Sequence, residues 1–159
     1  MIFNHMYQPH IDQLKQEAGE DLIGLTSGTF DLFHAMHLRY LNRCWGMCRR
    51  LIVGVDSDEL VRHRKGIERP IIPQYERLGI VAGLKCVSAA FLMDSYDDFW
   101  GLVEKVTPKY IFKNVPFHQE HDLHGAKVVL VSDDMESATS TTSIIRRIRQ
   151  GTSIRSAGG

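Results

Sequence analysis

Residues 22–37 read LIGLTSGTFDLFHAMH, and the order of apolar, small and polar residues in that stretch decides the fold. Leu22–Thr26 predicts a first strand, and Ser27-Gly28-Thr29 is a cluster of turn formers. From Ala35 to Met47 the apolar residues recur with helical spacing. A strand that passes through a glycine turn into a helix is the opening unit of an α/β fold. Gly28 lets the backbone come close to a ligand, and the helix start beyond it presents free N–H groups to a phosphate. His34 and His37 stand three apart and share one face of that helix, where two imidazoles can donate hydrogen bonds to phosphate oxygens. Taken alone, such a pair more often marks two histidines at the surface or at the edge of a core than a catalytic site. Zinc would need a third ligand, and none stands near in the sequence.

Working outward, Leu51–Val55 is a continuous apolar run suited to a strand buried on both faces. Asp56-Ser57-Asp58 follows it and offers a cap for a helix beginning near Glu59. The stretch 63–73 (HRKGIERPIIP) is basic and proline-punctuated and predicts a loop. Residues 74–84, 97–106 and 141–150 predict helices, and 86–93, 109–113 and 127–131 predict strands. Upstream, Ile11, Leu14 and Ala18 predict a short helix ended by Gly19, while residues 1–9 and 151–159 carry no period and predict loose termini. Strand and helix alternate without repeats or linkers, so the expectation is a single α/β, Rossmann-like, doubly wound domain over residues 1–159. Its core spans about 22–149, with a five-stranded parallel sheet flanked by helices. Ligands in such folds bind beyond the carboxyl ends of the strands. The search therefore narrows to the loops after the first, second and last strands.

Composition bounds the function. The chain has 159 residues, 43% apolar and 24% charged, enough for a real core. Its 19 Lys+Arg balance 19 Asp+Glu, so no global charge draws it to nucleic acid or a membrane surface, and an anion must be held by local geometry. No apolar run reaches the roughly 18 residues of a membrane span. Three cysteines (Cys44, Cys48, Cys86) have no disulfide-framework spacing, which points to a reducing, cytoplasmic setting; Cys44 and Cys48 read as small core residues.

Four ordered segments then carry a family resemblance. Gly28-Thr29-Phe30-Asp31-x-x-His34-x-x-His37 resembles the G-x-F-D-x-x-H-x-G-H signature of the cytidylyltransferase-like nucleotidyltransferases. Val53–Glu59 is similar to the second strand of that family and the S-D-E turn after it. Lys65-Gly66-x-x-Arg69-Pro70-x-x-Pro73-x-x-x-Arg77 resembles a segment of the heptose-phosphate adenylyltransferase branch, and Ser140–Ile145 resembles the S-T-T-x-I-I segment that opens the last helix. The resemblance covers residues 22–149 and implies transfer of a nucleoside monophosphate from a nucleoside triphosphate, ATP before CTP with CTP left open, to a sugar or polyol phosphate with release of pyrophosphate. Residue by residue it implies His34, His37 and Lys65 as catalytic groups. Thr26, Gly28, Thr29, Phe30, His34, Arg64, Lys113, Ser140, Thr141 and Thr142 are implied around the nucleotide, and Asp31, Asp56, Arg69 and Arg77 around the acceptor. It also implies Mg2+ carried by the triphosphate, no dedicated protein metal site, and a homodimer.

Against that pattern, Met36 replaces the glycine of H-x-G-H. Lys113-Asn114-Val115-Pro116-Phe117 keeps a lysine but loses a glycine and an acid. Ala138 replaces a glycine, and Met135 stands where the glycerol-phosphate branch has arginine. These departures leave a second expectation, a nucleotide sensor of the same fold with reduced turnover. His118-x-x-His121-x-x-His124 offers a rival, transition-metal reading, against which stand exposed loop histidines. Arg146, Arg147, Arg149 and Arg155 suit the end of a helix better than nucleic acid, since no aromatic residues interleave them. The basic residues 62–69 and two helix starts suggest a polarised molecule whose charges cancel only on average. The expectation from this sequence is that nearly all of it is spent on the transferase core, without the kinase domain that accompanies it in bifunctional heptose enzymes.

Overall fold

A computed structural model describes residues 2–3, 8–18, 22–115, 123–131 and 140–151. The elements run β1 (Ile2–Phe3), α1 (Gln8–Ala18), β2 (Ile23–Gly28), α2 (Ala35–Trp45), β3 (Arg50–Asp56), α3 (Asp58–Lys65) and α4 (Gln74–Ala82). They continue β4 (Ala89–Met93), α5 (Tyr96–Val106), β5 (Tyr110–Lys113), β6 (Lys127–Leu130) and α6 (Thr141–Arg149). The sheet order is β1-β4-β3-β2-β5-β6, and every pairing is parallel. The five strands expected from the sequence are β2 to β6. Where a loose N-terminus was expected, Ile2–Phe3 instead pairs with Ala90 and Phe91 at the sheet edge. Residues 152–159 lie outside the described residues.

Two apolar layers sandwich the sheet. Ile23, Leu25, Ile52, Phe91, Met93 and Ile111 meet Phe99, Leu102, Val103 and Val106 of α5 and Ile11 and Leu14 of α1. On the other face Leu51, Val53, Val55, Ala90 and Phe112 meet Leu41 and Cys44 of α2 and Leu78 and Val81 of α4. Cys44 and Cys86 are buried and Cys48 is half-buried, and burial pushes the Cys44 thiol up to about 12 and the Cys48 thiol to about 11. They are core side chains rather than reactive thiols.

Caps fix where the helices begin. Ser57 Oγ accepts from Leu60 N at 3.3 Å, so α3 starts with only Ser57 between it and the end of β3. The helix runs through His63-Arg64-Lys65, which the sequence suggested as loop, and stops at Gly66, whose φ of +90° suits glycine. Ser95 and Asp98 cap α5 reciprocally, as do Ser140 and Ser143 in α6. The carboxyl ends of β2 and β3 and the starts of α2, α3 and α6 thus converge on one side of the sheet.

Candidate active site

The loop from Thr29 to His34 leaves β2 in an unusual backbone conformation: Phe30 and Leu32 have φ of +52° and +46°. Each left-handed non-glycine residue costs about 1 kcal/mol. The alternation turns Asp31 inward to 1% exposure. Its carboxylate accepts from Ile72 N (2.9 Å), Ile71 N (3.0 Å) and Arg69 Nε (2.8 Å). Burial alone would raise the Asp31 carboxyl, but those donors outweigh it and hold it below the usual carboxylate range. The close approach at Gly28 is to protein: a Cβ there would lie 3.1 Å from the Phe30 ring.

Phe30 in turn packs edge-on to His37 (5.5 Å between centroids), Phe33 lies 5.4 Å away, and His34 stacks on His37 at 3.9 Å. The N–H of His34, the residue that precedes α2, donates to His37 Nδ1 at 3.4 Å. With Nδ1 accepting, the neutral imidazole carries its proton on Nε2. Burial, then His34, then Lys65 push the His37 pKa down to about 4. Burial lowers His34 as well, and its Nδ1 is buried without a protein hydrogen-bond partner among the described residues.

These shifts make stability depend on pH. The unfolded imidazole binds its proton near pH 6.5 and the folded His37 only near 4, so between those values the unfolded chain holds more protons. Stability present above pH 6.5 is therefore lost on acidification, by on the order of 2–3 kcal/mol for this group. Urea unfolding of wild type and His37→Gln at pH 7.5 and 4.5 reads the difference. The wild type is expected to lose more, and equal losses would contradict the assignment.

Lys65, the last residue of α3, donates from Nζ to Thr29 Oγ1 at 3.1 Å, and Thr29 Oγ1 donates to Asp56 Oδ2 at 2.9 Å. Burial, followed by Arg64 and Arg69, lowers the lysine's pKa against the pull of Asp56 and Asp31. Asp56 Oδ2 also meets Arg64 Nη1 at 3.3 Å, and the same nitrogen donates to the Tyr96 hydroxyl. On the opposite wall Thr141 Oγ1 donates to Asp31 O at 2.7 Å, pinning the start of α6 beside the histidine loop.

The structure thus brings Thr29, His34, His37, Arg64, Lys65, Arg69 and Thr141 around one loop. Ser140 Oγ is used as the α6 cap, accepting from Ser143 N at 3.1 Å. Thr142 is exposed and lines a groove of about 380 Å³ with Arg69, Ile71, Ile145 and Arg146. Thr26 is not brought there: its hydroxyl is buried, donating to Phe112 O at 3.1 Å and sharing a 2.7 Å hydrogen bond with Tyr40. Lys113 leaves β5 toward α5, its amine 4.3 Å from the Phe99 ring centroid. Asp31, Asp56 and Arg77 turn their polar atoms to protein partners: Arg77, fully buried, donates to Thr29 O, Ile72 O and Asp58 Oδ1.

The polarised charge expected from the sequence is corrected. Arg64, Arg69, Arg77 and Arg149 each pair with a carboxylate (Asp56, Asp31, Asp58 and Glu68), whereas Lys65 donates to a hydroxyl. Sequence reasoning missed Tyr96, which holds Arg64 from the start of α5, beyond the three loops it searched. His118, His121, Met135 and Ala138 lie outside the described residues. Among the described residues no group of three His, Cys, Asp or Glu side chains is placed to hold a metal, and no helix is long and apolar enough to cross a membrane.

Comparison with known proteins adds to this geometry. The cytidylyltransferase-like family profile matches residues 25–147. The chain is similar to the bifunctional protein HldE of Rhodopseudomonas palustris (strain TIE-1), 35% identical over 150 residues, covering 89% of this chain and 30% of that one. It is also similar to that of Geotalea uraniireducens (strain Rf4), 34% identical over 148 residues, with 89% and 29% covered. The chain therefore spans about a third of the length of these curated relatives. Among solved structures it resembles a lipopolysaccharide core biosynthesis protein from Thermoplasma volcanium GSS1. There the TM-score is 0.58 and the identity 26%, over 70% of this chain and 96% of that one.

Proposed function

The chain belongs to the cytidylyltransferase-like family, and from that premise we propose that it is a nucleotidyltransferase. It moves a nucleoside monophosphate from a nucleoside triphosphate, ATP before CTP, onto a sugar or polyol phosphate and releases pyrophosphate. The observation that carries this reading is the junction of three elements. The start of α2 with its stacked histidines, the start of α6 pinned by Thr141, and Lys65 reaching Thr29 all meet the loop from Thr29 to His34. Two helix starts and a lysine that is not bonded to a carboxylate suit a polyphosphate. His34 Nδ1 and Arg69 Nη2, buried and without a partner among the described residues, supply polar atoms that an anionic ligand would satisfy.

In this assignment an acceptor phosphate oxygen attacks the α-phosphorus and the bond to the pyrophosphate oxygen breaks. The protein contributes position and charge stabilisation. His37 Nε2–H, neutral at physiological pH, donates to an α-phosphate oxygen as charge builds. Lys65 exchanges its bond to Thr29 for the α-phosphate, and the N–H groups of Thr141 and Thr142 hold the β- and γ-phosphates. The carboxylates nearest the histidines, Asp31 and Asp56, are occupied by arginines, Thr29 and backbone N–H groups. A Mg2+ ion, if carried by the triphosphate rather than held by these side chains, would supply charge neutralisation on the leaving group. The family resemblance supports a homodimer and the free thiols a cytoplasmic setting. Light scattering reads the first.

Pyrophosphate release across ATP and CTP with a panel of sugar and polyol phosphates tests the activity. Turnover with ATP and at least one sugar phosphate is expected. Tight nucleotide binding without release from any pair would overturn the reading in favour of a sensor. Thr141→Val removes the Thr141–Asp31 tie and is expected to raise the KM for ATP about fivefold, with about 1 kcal/mol lost in stability. An unchanged KM would remove α6 from the triphosphate site.

A further inference from the structure

Resting on that reading, we propose that the groove between α6 and the loop before α4 is a second anion site, distinct from the triphosphate site, that takes pyrophosphate and slows further transfer. Thr142, Ile145, Arg146 and Arg149 recur at i, i+3, i+4 and i+7 and form one stripe of α6, about 10 Å long. Glu68, Arg69 and Ile71 form the facing wall, and the groove encloses about 380 Å³. That volume lies at the small end of ligand sites and suits a compact anion. The groove opens at Thr142, in the helix start assigned to the β- and γ-phosphates, so pyrophosphate leaving the reaction meets it first.

Its charges favour a multiply charged anion. Among the described residues three arginines line it against one glutamate. Arg149 Nη2 donates to Glu68 Oε2 at 2.7 Å, but both side chains are exposed, and a pair of that kind is weak enough for a polyanion to displace the carboxylate. Arg146 has no carboxylate partner among the described residues. Arg69 spends Nε on Asp31, and its Nη2 is buried without a partner among the described residues. Planar guanidiniums bind phosphate oxygens two at a time, and Ile71 and Ile145 between them exclude water, which strengthens the attraction. The groove is also tied to the histidine loop. Arg69 holds the Asp31 carboxylate at 2.8 Å, and Thr141, beside Thr142, donates to the Asp31 carbonyl at 2.7 Å. An anion that draws Arg69 toward the groove loosens Asp31, and with it the loop that leads to His34 and His37. Pyrophosphate bound here lowers kcat through that coupling, whereas pyrophosphate in the triphosphate site only competes with ATP.

The experiment uses the whole chain at constant Mg2+. Pyrophosphate is titrated calorimetrically into protein saturated with α,β-methylene-ATP, which fills the triphosphate site and cannot be cleaved between its α- and β-phosphorus atoms. One further equivalent is expected to bind. Arg146→Ala, an exposed helix substitution that leaves folding intact, is expected to weaken that binding at least tenfold, and Arg146→Lys to restore part of it. In turnover with ATP and an active acceptor, added pyrophosphate is expected to lower kcat in wild type and to compete only with ATP in Arg146→Ala. No binding to the analogue-saturated wild type, or binding indifferent to Arg146→Ala, would overturn the site with nucleotidyl transfer intact. Inhibition that is purely competitive in wild type would overturn its effect on transfer. If the chain neither binds the analogue nor releases pyrophosphate, the transfer reading fails and titration of pyrophosphate into the unliganded chain still decides. Binding that is lost in Arg146→Ala supports the groove, and absent or unchanged binding overturns it.

Discussion

Arg77→Met is expected to lower stability by about 3 kcal/mol, a large share of the 5–15 kcal/mol typical of a domain. The arginine lies on α4, yet its guanidinium is fully buried and divides its donors among three segments. Nε serves Ile72 O at 2.8 Å, Nη1 serves Thr29 O, and Nη2 serves Asp58 Oδ1 at 2.8 Å. Methionine fills much of the volume and leaves two carbonyls and a carboxylate without their donor. Asp58 is 21% exposed and regains some water, which keeps the cost below that of a fully buried broken pair. Arg77→Lys is expected to recover less than half, because one ammonium cannot span three acceptors in a planar fork. Thr29 also receives Lys65, so its displaced carbonyl should slow turnover even under conditions where the variant is folded. Urea unfolding at pH 7.5 provides the measurement, and a loss under 1 kcal/mol would show that the network is not what holds the two loops together.

That network marks the boundary of what the sequence made legible. Strands of unbroken apolar residues and helices of period 3.6 are local signals, and β2 to β6 follow them. The pairing of Ile2–Phe3 was not legible, because two residues carry no period. Nor was the extension of α3 through Lys65, where the basic composition suggested a loop but the chain reaches Gly66 before it turns. The order of the four motifs located the histidines, the lysine and the α6 cap. Pairing across the chain was hidden: Arg69 finds Asp31 38 residues away and Arg77 finds Asp58 19 residues away, and such partners follow from topology alone. A count of charges could not separate arginines bonded to carboxylates from Lys65, bonded to a hydroxyl. The residues expected around an acceptor, Asp31, Asp56, Arg69 and Arg77, are in large part what shapes the loop from Thr29 to His34.

His37→Ala should then act on the chemistry far more than on nucleotide binding: kcat is expected to fall 100- to 1000-fold, with the dissociation constant for ATP within about threefold. The imidazole is fixed on three sides, by the edge of Phe30, by Phe33 and by stacked His34, while the His34 N–H occupies Nδ1. Only Nε2–H remains to act outward, and one directed donor at an oxygen that gains charge is worth most in the transition state. Truncation also removes ring contacts, at a cost of about 1–2 kcal/mol in stability, so the rate must be read where unfolding curves show the variant folded. The pH profile separates this role from simple packing. With its pKa near 4, the wild-type imidazole is already in its working, neutral form at pH 5. The rate should therefore show no acid limb from His37 between pH 5 and 8. A rate that falls as pH rises through about 6.5, and no longer does so in the variant, would mean that the protonated imidazole is the active form. Activity within a few-fold of wild type would remove His37 from catalysis altogether and leave Lys65 and the two helix starts to stabilise the transition state.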